Sequence, residues 1–227
     1  MNNLDGKESC HVILLIYIWL FQIESNKKFL HKAFVDCLGL AVLFPLFMKP
    51  VKISKKKKGN NYNNEEHIVS IIASLLKNCS GSNKQRVLQK FVENDHEKID
   101  RLLELFFKYS EEVAKADAEI MMEKSETDDD DDENDEIKSE NYMKRLESGL
   151  FALQSISYII LDISENGPSS IKNRVLKLLN LRKIEKSKII EIIKEYEENL
   201  GEAHEENIKN SESLEEHERI KELISKF

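Results

Sequence analysis

The chain reads as all-α, an α-solenoid or irregular bundle of amphipathic helices, on three observations. Only seven Gly and three Pro punctuate 227 residues, too few turn residues for an all-β fold of many short strands. From residue 65 onward apolar side chains recur at helical spacing, and no stretch there alternates as a strand does. Hydrophobic residues make up 41% and charged residues 33%, so the chain can build a core and solvate its outside.

Taken in order, the first element is the apolar run Cys10 to Phe21, about twelve residues and therefore short of the roughly 18 that a bilayer crossing needs. Asp5 and Glu8 precede it where a signal peptide wants basic residues, so the run reads as a buried segment covering the apolar end of the domain. Helical spacing begins near residue 26 with Phe29, Leu30 and Phe34 and continues to Phe44, where Pro45 should end or kink it. Lys49 to Lys58 contains six lysines and reads as a solvated, basic connection.

Ile68, Ile71, Ile72, Leu75, Leu76 and Cys79 then form the stripe of an amphipathic helix, broken by Ser80-Gly81-Ser82-Asn83. Val87, Leu88, Phe91 and Val92 mark a short successor. Asn94 with Glu97 reads as the capping pair of a long helix carrying Ile99, Leu102, Leu103, Phe106, Val113 and Ile120. Nine of the eleven residues from Glu126 to Glu136 are acidic, a self-repelling block expected to be a disordered loop over 125–138. It lacks the spaced ligands, central Gly and terminal Glu of a calcium loop.

Met143, Leu146, Leu150, Leu153 and Ile160 predict a buried central helix, with Gly149 inside it for close helix packing. Asn166-Gly167-Pro168 ends that helix. Ser169 or Ser170 caps the next (Ile171, Val175, Leu178, Leu179), and Ser187 caps another (Ile190, Ile193, Tyr196), with Gly201 placed as its stop. Ser213 with Glu216 forms a capping box for a final helix that buries Ile220, Leu223 and Ile224.

Charge and motifs limit the function. Residues 1–113 hold 17 Lys/Arg against 13 Asp/Glu, and residues 114–227 hold 17 against 29, so the acidic half argues against direct nucleic-acid binding. Three scattered cysteines suit reduced thiols rather than a disulfide framework. No phosphate-binding loop, zinc-protease helix or nucleophile elbow is present, and the six histidines fall on separate helices, so neither an enzyme nor a cofactor or metal site is expected.

Two segments, Leu43-Phe44-Pro45-Leu46-Phe47-Met48-Lys49 and Glu93-Asn94-Asp95-His96-Glu97-Lys98-Ile99-Asp100-Arg101-Leu102, resemble the catenin-beta-like family. Ser74 to Asn78, Arg145 to Phe151 and Glu195 to Gly201 agree in order and spacing, so the resemblance covers roughly residues 30–227 and leaves 1–28 unmatched. It implies an armadillo-like α-solenoid segment with a C-terminal helical cap: armadillo-type repeats over 29–124 and a C-terminal helical region over 139–227. It also implies the C-terminal portion of a non-enzymatic nuclear scaffold, associated with the spliceosome through the NineTeen complex and binding basic localisation-type segments of splicing factors. The alternative is a helical fragment without binding activity of its own. On this reading Glu97, Asp100 and Glu104, one face of the long helix, contact a basic partner, and the Asp100-Arg101 pair lies in a polar ladder beside them. Self-association is an open expectation, a membrane role is not, and residues 10–22 are expected to pack as a substitute end cap.

Overall fold

The computed structural model describes residues 27–49, 61–126, 135–205 and 211–227. The expected cap at 10–22, most of the lysine connection and the centre of the acidic block lie outside them. Ten helices are present among the described residues: α1 (Lys27–Asp36), α2 (Gly39–Met48), α3 (Asn61–Asn78), α4 (Gly81–Lys90), α5 (Glu93–Glu126), α6 (Asp135–Glu147), α7 (Leu150–Asn166), α8 (Ser169–Leu181), α9 (Ser187–Glu205) and α10 (Ser211–Lys226). The architecture is all-α, an armadillo-like α-solenoid segment closed by C-terminal helices.

Helix α7 is the centre. It carries Leu153, Ile156, Ile159, Ile160, Leu161 and Ile163 in a nearly unbroken buried surface, and α3, α5, α6, α8, α9 and α10 all pack on it. Helices α1, α2 and α4 gather on α3, so α3 joins the N-terminal group to the central one. The stripe read in α3 is buried throughout, from Ile68 to Cys79. Burial pushes the Cys79 thiol up to about 11, the behaviour of a packed hydrophobe rather than a reactive nucleophile.

Several local expectations are corrected. Gly149 does not lie inside one central helix: at φ +96° it separates α6 from α7, and the axes bend by 68° there. Close packing is nonetheless the reason for glycine, because a Cβ at this position would stand 2.5 Å from the Tyr109 ring. Met143, expected in the buried stripe, is exposed, as is Phe151 beside the break. Pro45 does not end α2. Lys49 N–H still donates to the Pro45 carbonyl at 3.0 Å, and buried Leu43, Phe44 and Phe47 hold the backbone on both sides of the ring. Helix α9 runs through Gly201 to Glu205, a tolerance consistent with the cost of an interior glycine, about 1 kcal/mol. The helices on either side of the acidic block extend to Glu126 and resume at Asp135, and residues 127–134 lie outside the described residues.

Candidate binding surface

The first turns of α5 hold the four residues singled out above. Asn94, Asp95 and His96 adopt left-handed dihedrals, φ 53°, 53° and 67°, so regular helix begins at Glu97. Asn, Asp and His tolerate this region better than most side chains. Contacts on both sides fasten the turn: Asn94 Nδ2 donates to Glu97 Oε1 at 2.6 Å, and His96 Nε2 lies 3.1 Å from Ser170 Oγ on α8. The Asn94–Glu97 pair is therefore a contact between side chains rather than a reciprocal backbone cap. The hydrogen bond from Asn94, opposed by desolvation and aided by Lys98, holds the Glu97 carboxyl below the usual range.

Beyond Glu97 the outward side chains tie helices together. Arg174 of α8 grips Asp100 in a two-pronged pair, Nε to Oδ1 at 2.7 Å and Nη2 to Oδ2 at 2.6 Å. Arg101 is mostly buried and reaches Glu65 of α3 at 2.8 Å and Glu104 at 2.9 Å. Lys108 meets the other Glu65 oxygen at 2.6 Å. Glu104, with 68% of its side chain exposed, is the member most open to a ligand. The polar ladder beside Asp100-Arg101 is thus a set of contacts from α5 to α3 and α8, and Glu97, Asp100 and Glu104 all have cationic or amide partners within the chain.

A second cluster, which the sequence reading did not single out, surrounds Asp162. This carboxylate sits on α7 with no exposed side-chain surface and lies 3.0 Å from Lys84 Nζ and 2.9 Å from Arg219 Nη2. Tyr158 Oη donates to it at 3.3 Å. Arg219 also donates to the Leu76 carbonyl at 2.8 Å and to that of Lys77, satisfying carbonyls left open at the end of α3. Burial pulls the Lys84 ammonium below the usual lysine range, and the charge of Asp162 opposes that shift. Next to this cluster Glu216 of α10 accepts from Lys77 and, at 3.0 Å, from Tyr196. Glu216 therefore serves an interhelix contact, and the helix starts at Ser211, two residues ahead of the Ser213 expected to cap it. One acidic residue in the apolar run Ile159-Ile160-Leu161-Asp162-Ile163 was the available signal, since a buried charge needs a partner.

Among the described residues no three His, Cys, Asp or Glu side chains are grouped to hold a metal ion. His31 is buried against Ser74 Oγ at 2.8 Å. No single described helix is long and apolar enough to cross a membrane.

Sequence comparison agrees with this architecture. The model of the family described as "Catenin-beta-like, Arm-motif containing nuclear" matches residues 11–222, a wider match than the motif resemblance gave, since it takes in the apolar run. "Beta-catenin-like protein 1" of Bos taurus is 43% identical over 199 residues, covering 87% of this chain and 34% of that protein. The Homo sapiens protein of the same name is 42% identical over the same coverage. The Schizosaccharomyces pombe homolog is 28% identical over 171 residues, 74% of this chain and 28% of its own length. The chain spans about a third of the length of these relatives. With the family model covering most of its residues and its helices stacked as described, the chain belongs to the catenin-beta-like, Arm-motif-containing nuclear family.

Proposed function

We propose that this protein is a non-enzymatic scaffold of the nucleus, associated with the spliceosome, whose helical surface binds basic localisation-type segments of splicing proteins. Family membership carries the reading, supported by the outward carboxylates of α5, where Glu104 is 68% exposed and Glu111, 71% exposed, lies two turns further along. Exposed pairs contribute only about 0.2–1 kcal/mol each, so useful affinity requires several contacts and some apolar burial. Glu97, Asp100, Arg101 and Glu104 are the residues proposed for the contact.

Titration of a fluorescent Lys/Arg-rich peptide by anisotropy tests it. Binding should be measurable at low salt, weaken as salt rises, and be lost in the Asp100→Lys, Glu104→Lys double variant. Because Asp100 also holds Arg174, the swap Asp100→Arg with Arg174→Asp keeps the helix tie while relocating the charge, and it should weaken binding without lowering the melting temperature. A second reading, a helical fragment without autonomous binding, is favoured by coverage of only 34% of the bovine relative. No binding at low salt would select it.

A further inference from the structure

We infer that the outer face of α8 is a docking surface for an acidic polypeptide segment. Ile171, Val175 and Leu179 face the core, and the opposite side of the helix lines an open hollow of about 480 Å³ with Asn173, Leu176, Lys177, Asn180 and Leu181. Leu181 is 71% exposed. An apolar side chain in the open beside a lysine and two primary amides offers burial, charge and hydrogen bonds to one extended ligand.

The segment that carries this face is charged oppositely to the chain as a whole. Residues 169–188 carry seven Lys or Arg against one Glu, in a protein of net charge -8. Four of the seven are engaged internally: Lys172 with Glu165, Arg174 with Asp100, Arg182 over the Phe107 ring, and Lys186 with the Phe227 carbonyl. Lys177, Lys183 and Lys188 are exposed and form no ion pair among the described residues. These three are available to an incoming carboxylate.

The chain's own acidic block is out of reach. Arg182 lies over Phe107, and α5 continues from there to Glu126, roughly 28 Å of helix at 1.5 Å per residue. The connection 127–134 is tied at both ends, and half of it extends only about 14 Å. The ligand we propose is therefore a segment other than this block, carried by another molecule. A nucleic acid suits the face less well, because none of the five lining residues is aromatic and single-strand binding relies on stacking. Residues 187–227 also carry twelve acidic against six basic side chains and repel a long polyanion. A short acidic segment with one apolar side chain for Leu181 meets both conditions.

The test uses the full chain and a labelled twelve-residue peptide of alternating Glu and Asp with a central Leu-Phe pair. The peptide should bind at 50 mM salt, and its affinity should fall by about tenfold at 300 mM. Lys177→Glu with Lys183→Glu should weaken it by a further factor of about ten, as should Leu181→Asp, whereas Lys194→Glu on α9 should leave it unchanged. In the unaltered protein, carbodiimide coupling should join the peptide's carboxylates to Lys177, Lys183 or Lys188. The inference is overturned by absence of binding at 50 mM salt, by coupling spread equally over Lys194, by tighter binding of oligouridylate, or by concentration-dependent self-association that the Lys177 and Lys183 variants abolish. It does not rest on the α5 reading: the double lysine variant should bind the basic peptide as before, so the two proposals fail separately.

Discussion

At the residue scale, two glycines separate backbone strain from crowding. Gly81 and Gly149 both have positive φ, 54° and 96°, but a Cβ at Gly81 would meet nothing within 4 Å, whereas one at Gly149 would collide with Tyr109. Gly81→Ala should therefore cost about 1–2 kcal/mol, the left-handed penalty alone. Gly149→Ala should cost about 2–4 kcal/mol, because overpacking adds to that penalty. Urea unfolding of the two variants measures the difference, and equal losses would contradict the Tyr109 contact as the cause. Gly149 itself was legible as a close-packing position, since glycine among Leu146, Leu150 and Phe151 has few other reasons to be there. That it breaks the helix was not legible, because the apolar phase runs across it and the Tyr109 ring packed against it lies forty residues upstream.

At the element scale, α10 is held by charge as well as by buried Ile220 and Leu223. Burial pushes the Glu216 carboxyl up, but the charge of Lys77 and hydrogen bonds from Lys77 and Tyr196 outweigh it, so the group titrates below its ordinary value of 4.5. The unfolded chain therefore binds the proton more readily than the folded one. The stability linked to Glu216 is complete above its unfolded pKa and is lost as pH falls through the lower folded value. Denaturant midpoints should drop as pH goes below 4.5, and Glu216→Gln should reduce that drop while lowering stability at pH 7. An unchanged acid dependence in the variant would show that Lys77 does not hold α10 through this carboxylate. The helix was legible from its periodicity, but its partner was not: Glu216 stands three residues after Ser213, and local spacing gave a cap where a lysine 139 residues away takes the carboxylate. The same limit applies to the α5 surface. The face was readable from spacing along one helix, whereas Arg174 and Glu65, which engage it, come from other helices.

At the scale of the whole molecule, Asp162 joins four helices: its own α7, α4 through Lys84, and α10 through Arg219, whose other hydrogen bonds reach the end of α3. Removing one member of a buried pair strands the others, at about 3–5 kcal/mol. Asp162→Ala should lose that much, with the unfolding transition moved to lower urea as a single step. An unchanged midpoint in the variant would show that the two groups are not coupled through this carboxylate.

The span of the Arg219 contact also orders events on the ribosome. An ideal solenoid stacks each repeat on its neighbour as it emerges, but here the carbonyls at the end of α3 receive their donor from a residue 142 positions later. At roughly 5–20 residues per second of synthesis, about 7–30 seconds pass between emergence of Lys77 and emergence of Arg219. Throughout that interval the carbonyls at the end of α3 are left to water and Asp162, once made, lacks one of its two cations, so the tie between α3, α7 and α10 closes only when α10 arrives.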